Sequence, residues 1–500
     1  MDQRLRAVCD LALGELREGS GLHEYDGLIQ DLSPSGVRAG LAKLGGAPLD
    51  DAHDDAHLRA FEESARVAYG TLELHRSNPA VHLSNFDVSC YDRAYAPAAE
   101  RAAAKRAHIA LWPDAVQMTI ESLDAVPAAV AQSVLGAFSG LAAGLDPADP
   151  REGAALAAHA RLMLHLHDAA ENGAPEVALG AAGLTALMGA GEATTVDLGE
   201  LAALADTERD RLMAILREAC GRVDKDGSVA EVVAALVADH PDADGVLIEA
   251  QAQVDEVLAF TREHNLVPYT DGDCLVAHPP PSRRWAMAMM AWAAPEEADA
   301  TSFYWVTPPE PTWPPPDIEE WLQVFSRTTL PAITLHEVSP GHFAHSRALR
   351  RAATPVRRIL MSPSFVEGWA HYVEELSLDL GFRAGDPRFA AGVAIEGLVR
   401  VTRLAAAIGV HTGTMTVADA AARFESDAFL SRRAALSEAA RATFDPTYGR
   451  YTWGKLVILQ TQAKARERWG AGYSHSRFHA AMLDLGAPPL GLLPTAVDRG

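Results

Sequence analysis

Apolar residues recur every three or four positions through most of this chain, the period of helices that bury one face. From Pro113 onward, Val116, Ile120 and Leu123 share a helical face while Asp114 and Glu121 point elsewhere, and Pro127 interrupts or restarts the helix. The same spacing fills 196–220, where Asp197 or Leu198 opens a helix carrying Leu201, Leu204, Leu212 and Ile215. No repeat of fixed period is visible, which excludes a solenoid. Gly180–Gly191 is rich in Gly and Ala but lacks the strand–turn–helix setting of a dinucleotide-binding loop.

The texture changes between 265 and 316, where prolines cluster in HPPPSRRW and again in TPPEPTWPPP, with Phe303, Tyr304 and Trp305 between them. This predicts irregular or extended chain with room for a short strand pair, either lining a cleft or connecting two lobes. Helical patterns resume at Asp317. The expected fold is mainly α with a small amount of β, divided into an N-terminal helical lobe over 1–300 and a helical lobe over 301–500 that carries the chemistry.

Composition supports this picture and narrows the partners. A chain of 500 residues exceeds one ordinary core, hence the two lobes. Hydrophobic residues at 48% and charged residues at 22% mark a folded chain, and abundant Ala favours helix over sheet. The formal net charge of -24 repels nucleic acid phosphate and anionic lipid, which argues against both as partners. Cys9, Cys90, Cys220 and Cys274 lie far apart without a CxxC pair, pointing to free thiols of a reducing compartment. The N-terminus, MDQRLRAVCDLALGELREG, is charged throughout and lacks the apolar stretch of a signal peptide. No window approaches the length of an uncharged membrane span. A cytoplasmic protein is expected, of open oligomeric state.

The chemistry concentrates in two segments. Leu335–His345 reads LHEVSPGHFAH, placing His336 beside Glu337 and a second histidine, His342, after Pro340 and Gly341. In the zinc-hydrolase motif HExxH the histidines are four apart on one helical face, and the Glu beside the first is the general base. Here they are six apart, and six steps on a straight helix rotate roughly 240°, turning the rings away from each other. Pro340 and Gly341 allow a kink or bulge that brings His342 round; His345, with no such kink, lies on the far side of the helix from His336.

The second segment, SFVEGWAHYVEELSLDL over 364–380, predicts a helix ending at Gly381. Glu367, His371 and Glu374 share one face of it. A carboxylate about thirty residues after a histidine pair is the arrangement of zinc enzymes that use two His and one Glu and leave the fourth position to water. Such a site predicts His336, His342 and Glu367 as Zn2+ ligands, Glu337 as proton acceptor, and His371 or Glu374 as the group orienting a ligand.

HEVSPGHF and EGWAHYVE together resemble the bacterial family catalogued as domain of unknown function 885, whose members look like zinc peptidases with HExxPGHH followed by EGWAxYxE. The similarity runs from about residue 60 to the C-terminus. It implies a helical, two-lobed zinc-hydrolase architecture with a central cleft, His336, His342 and Glu367 on the metal, and Glu337 as base. The family's second consecutive histidine is Phe343 here. VRVTRLAAAIGVHTGTMT resembles the region that supplies an Arg and a later His, giving Arg403 and His411, with Ala407 where an aspartate is usual. RYTWGKLVILQTQAKARERWG resembles the family's tyrosine–glycine–lysine helix start, giving Tyr451, Gly454 and Lys455. By this resemblance Tyr451 and His411 hold the developing oxyanion and Arg403 holds a substrate carboxylate or supports a ligand.

The expected activity is hydrolysis of an amide bond in a short peptide or peptide-like small molecule. The alternatives are a tailoring enzyme acting on a specialised metabolite, for which Phe343 and Ala407 leave room, and an inactive zinc-stabilised binding protein, which would have no use for Glu337. Gly449 to Lys455 mimics a P-loop, but Leu456 replaces the required Ser or Thr and no apolar strand precedes it. No GxSxG elbow is present.

Overall fold

The computed structural model describes residues 1–280, 283–284, 286–297 and 300–500, so part of the HPPPSRRW segment lies outside the described residues. The chain is mainly helical with one small sheet. Short N-terminal helices, among them α1 (Leu13–Gly19), lead into longer ones. In the Trp112–Ser122 helix Val116 is buried, and the chain restarts after Pro127 as Ala128–Leu141. Gly180–Gly191 is itself a helix. Helix α2 (Leu198–Val223) opens at Asp197, whose carboxylate accepts from the Gly199 and Glu200 amides. Its buried stripe runs through Leu201, Ala205, Leu212, Leu216 and Ala219. Leu204, expected on that stripe, falls one position off it and is 42% exposed.

After α3 (Ala243–Glu263) the proline-rich region contains three strands where a pair was expected: β1 (Cys274–Ala277), β2 (Ala288–Ala291) and β3 (Ser302–Val306). The aromatic run makes β3 the central strand, parallel to β1 and antiparallel to β2. Aromatic side chains suit such a buried pleat, and prolines, which cannot donate to a ladder, fall outside the strands.

Then come α4 (Leu330–Glu337), α5 (His342–Leu349), α6 (Pro363–Asp379), α7 (Pro387–His411), α8 (Arg432–Phe444) and α9 (Arg450–Trp469). Helix α7 is the axis of the fold. It buries 19 of its 25 residues, so it must be enclosed on nearly every side. Helix α2 lies along it, and α4, α6, α8 and α9 also pack against it.

The cores cross the division expected at residue 300. One joins Leu201, Leu212 and Leu216 to Leu398, Val401 and Leu404. A second joins Val246, Ala250 and Val254 to Tyr304, Leu330 and Ile333. A third joins Leu5, Val8 and Leu58 to Val356, Ile359 and Leu360. Among the described residues only the cluster around Phe86, Trp112 and Phe138 draws all its buried residues from the N-terminal half. The physical reason is that each N-terminal helix carries one apolar stripe, and α7 and its neighbours offer the faces that cover it. The change in composition near 300 marks a sheet and its loops rather than a linker. Among the described residues no helix is long and apolar enough to cross a membrane. All four cysteines are free and buried.

Candidate metal centre

Helix α4 ends at Glu337 and α5 begins at His342, so the expected kinked helix is two helices joined by a tight turn. Gly341 makes the turn possible. A Cβ at that position would stand 1.9 Å from the His336 carbonyl oxygen and 2.4 Å from that of Leu335. Trp369 of α6 fixes the other side by donating from Nε1 to the Pro340 carbonyl at 2.9 Å. The turn swings His342 back over the end of α4, and the rings of His336 and His342 meet edge to face with centroids 4.7 Å apart.

Glu367 of α6 faces both rings. Its Oε2 lies 3.4 Å from His336 Nε2 and 3.4 Å from His342 Nε2. One donor atom from each residue lies within 4.8 Å of the others. Four ligands at about 2.0–2.1 Å around a tetrahedral ion are separated by about 3.3–3.4 Å, so the two spacings to Glu367 fit an ion of zinc size. Glu367 Oε2 and His342 Nδ1 are buried without a hydrogen-bond partner among the described residues. An orphaned carboxylate oxygen between two imidazoles is costly unless a cation completes it. The residues present therefore fit the metal that the motif implies.

The remaining nitrogen of His336 is held from behind. Its Nδ1 donates to Glu374 Oε1 at 2.6 Å, leaving Nε2 to face Glu367. Glu374 is fully buried, and its other oxygen accepts from Arg400 Nη1 at 2.9 Å. Burial would raise this carboxyl, but Arg400, His336 and His371 outweigh it and hold its pKa well below the ordinary range. Burial and Arg400 would lower His336, yet Glu367 and Glu374 lift it to about 9 in the metal-free state. Of the two groups expected to orient a ligand, Glu374 touches His336, whereas His371 approaches only Glu374, at 3.5 Å. Burial pushes His371 down to about 4, so it is neutral at physiological pH.

Arg400 escaped the sequence reading. Its signal was an arginine inside an almost wholly apolar helix, which must have a buried anionic partner. Arg403, one turn further, is instead committed to Glu438 through a bidentate pair at 2.7 and 2.8 Å. It also lies over the Tyr451 ring at 5.2 Å. His411 is a correction: its Nε2 donates to the Ala442 carbonyl at 2.7 Å. It lies eleven residues beyond Arg400 on α7, roughly 16 Å along the axis, so it cannot serve the oxyanion.

Tyr451 does reach the centre. Its ring stacks on His336 with centroids 6.2 Å apart. Burial and the Glu367 charge raise its phenol, so it stays a hydrogen-bond donor at neutral pH. The approach depends on a glycine crossing. A Cβ on Gly454 would stand 2.0 Å from the Ser364 carbonyl, and one on Gly368 would stand 2.5 Å from Gly454 backbone atoms. The two glycines let α6 and α9 touch, which brings Tyr451 beside Glu367. Lys455 follows into the core, bonded to Glu208 and Glu375 at 2.7 Å each.

Glu337 is 8% exposed, and its charge is felt by Cys274 of β1 and Tyr304 of β3. Its carboxylate thus lies on the sheet side of the histidines. Trp292, just past β2, meets the His342 ring edge to face at 6.0 Å. His345 is buried with Nε2 on the Gly486 carbonyl, and Phe343 and Ala407 are core residues.

The family model described as "Bacterial protein of unknown function (DUF885)" matches residues 15–497, beginning well before residue 60, where the motifs suggested the similarity starts. Among solved structures, a candidate lipoprotein of unknown function from Shewanella oneidensis aligns with a TM-score of 0.76 at 16% identity. The alignment covers 98% of this chain and 97% of that one. A candidate lipoprotein from Colwellia psychrerythraea aligns with a TM-score of 0.76 at 17% identity, over 99% of this chain and 96% of that one. At such identities the likeness is one of fold. No curated protein matches the chain.

Proposed function

We propose that this chain, which belongs to the bacterial family of unknown function DUF885, is a zinc-dependent hydrolase that cleaves an amide bond in a short peptide or peptide-like small molecule. The observation that carries this reading is the convergence of His336 Nε2 and His342 Nε2 on a Glu367 oxygen that has no other partner. These three residues would hold the ion. When bound, it would supply Lewis acidity, polarising the scissile carbonyl and making water a competent nucleophile at neutral pH.

Every other role belongs to the chain itself. Glu337 takes the proton from the attacking water and returns it to the leaving amine. Tyr451, held protonated, donates to the oxygen on which charge develops. Glu374 fixes the orientation of His336, and Arg400 keeps Glu374 ionised. The free, buried cysteines favour a reducing compartment, so we read the enzyme as cytoplasmic.

Metal quantification paired with a peptide-library digest tests the reading. Wild-type protein should carry zinc and cleave members of the library. His336→Ala should do neither while keeping its helical circular dichroism. A wild-type protein that binds no divalent metal sinks the proposal. Chelation should stop cleavage without unfolding the chain; loss of fold on chelation would favour a zinc-stabilised binding protein instead.

A narrower expectation concerns Glu374→Gln, which keeps an acceptor for His336 Nδ1 and removes only the charge. Zinc affinity should fall about 10- to 100-fold, as read by competition with a metal-binding dye. An unchanged affinity would remove Glu374 from the site.

A further inference from the structure

Helix α7 is enclosed almost everywhere, and the exceptions fall together. Beyond its first turn only Glu396, Val399 and Arg403 are more than marginally exposed, and their spacing puts them on one stripe. Packing shuts that stripe at both ends: Gly392 lies against the Thr328 backbone, and Ala407 is in the core. The opening left between Glu396 and Arg403 is about 10 Å long. It gives onto the candidate metal centre. Arg403 lies over the Tyr451 ring at 5.2 Å, and Tyr451 in turn stacks on His336. Tyr451 is itself half-buried and the Glu367 side chain is 23% exposed, so solvent reaches these groups as well.

Glu396 is the charged group of this opening that the hydrolytic reading does not use. Its Oε2 lies 3.3 Å from Arg400 Nη2, and the same nitrogen lies 3.5 Å from His336 Nδ1. The two contacts keep Glu396 within about 7 Å of the His336 ring, the length of two residues of extended chain. Arg400 is already bonded through Nη1 to the buried Glu374 at 2.9 Å, so one guanidinium faces two carboxylates. Among the described residues Glu396 accepts no hydrogen bond, and its side chain is 19% exposed. The other cation of the opening, Arg403, is balanced by Glu438. A divalent ion would be balanced by Glu367 and Glu337, which leaves one negative charge in excess. Burial raises the Glu396 carboxyl, Arg400 lowers it and Glu374 raises it again, as expected of a carboxylate short of positive charge. A confined carboxylate with open acceptor sites is best completed by a cationic donor. A short peptide carries such a donor at its N-terminus, an ammonium at neutral pH. The net charge of -24 draws cations of this kind toward the protein.

We infer that Glu396 anchors the free α-ammonium group of a short peptide or peptide-like amine, so that cleavage falls within one or two residues of an N-terminus. The inference rests on the hydrolase reading and deepens it, since it names the end of the substrate that the enzyme holds. Glu396 acts here as a specificity residue: its carboxylate meets the substrate ammonium and takes no part in proton transfer. The anchor is a protein group, so it can be read by binding as well as by turnover.

The test is affinity selection, with mass-spectrometric readout, of randomised tripeptide amides lacking Lys and Arg, offered with a free amino terminus and as N-acetyl derivatives. The full chain is used zinc-loaded and carrying Glu337→Gln, so that bound peptides are not consumed. Free amines should be retained at least about tenfold over acetylated peptides, the scale of one charge-assisted hydrogen bond. Adding Glu396→Gln should collapse that preference to about parity, and Glu396→Asp should restore part of it. The Gln change alters the net charge of -24 by one, so general attraction of cations survives it and a collapse maps to position 396. Zinc affinity should stay within about threefold in Glu396→Gln, in contrast to Glu374→Gln. Equal retention of the two pools, retention of neither, or a preference that persists in Glu396→Gln overturns the anchor. A fall in zinc affinity with the preference intact would make Glu396 a support for Arg400 and overturns it too. Cleavage of both pools by zinc-loaded wild type is scored separately. If neither is cleaved while free amines are selectively retained through Glu396, the hydrolase reading fails and the anchor stands; if both are cleaved equally well and retained equally, the anchor fails and the hydrolase reading stands.

Discussion

Glu337→Gln is expected to lower kcat by about 10²- to 10⁴-fold while the protein keeps its zinc. The substitution is nearly isosteric, and position 337 is not among the three converging donors, so metal content should be untouched. What disappears is a group able to accept a proton from water and give it back to the leaving amine. The side chain ends α4 beside His336 and sits toward β1 and β3, so it can meet a substrate that approaches from the sheet side. The measurement is steady-state turnover on whichever library peptide the wild type cleaves best, with zinc stoichiometry determined on the same sample. Turnover within about threefold of wild type would take Glu337 out of the mechanism, and loss of zinc would mean the residue supports the metal rather than the proton.

Gly341→Ala is expected to destabilise the fold by about 4 kcal/mol or more and to abolish zinc binding together with activity. The added methyl would lie 1.9 Å from the His336 carbonyl oxygen. Both groups are backbone-bound, so no rotamer change relieves the contact, and the turn must open. Opening it moves His342 away from His336 and Glu367, which have no other means of staying within ligand distance of it. Denaturant unfolding and zinc analysis read the two effects independently. An alanine variant with wild-type midpoint and full zinc content would show that the turn has slack and that the histidine pair does not depend on Gly341.

Much of this molecule was legible as pattern. The helical class followed from apolar spacing, and so did a helix opening at Asp197 or Leu198, because both are set by contacts within a few residues. The segments holding His336, Glu337, His342 and Glu367 stood out because their residue types serve metal chemistry at short spacings. Tyr451 was reachable only through resemblance, since nothing local ties it to a site more than eighty residues upstream.

What local pattern could not decide was which long-range partner each polar group takes. Arg400 and Arg403 are one turn apart on α7. The sequence offered no reason to send one to Glu374 and the other to Glu438, because the choice is made by where α6 and α8 lie. His411 was misassigned for the same reason: helix length carries it away from the centre, to a carbonyl of α8. Core clusters draw residues from both sides of residue 300, because an amphipathic stripe announces that a helix is buried but not against what.

The sequence by itself determined the helical class, the donor types and the glycine that lets the chain turn before His342, for these depend on local sterics and short spacing. Only the tertiary structure decided that α4 and α5 are separate helices folded back on each other, that a glycine crossing delivers Tyr451, and that Arg400 and Arg403 go to different carboxylates. Those outcomes depend on packing and on the pairing of buried charge across hundreds of residues, where the energy of a group is set by neighbours that chain order does not name.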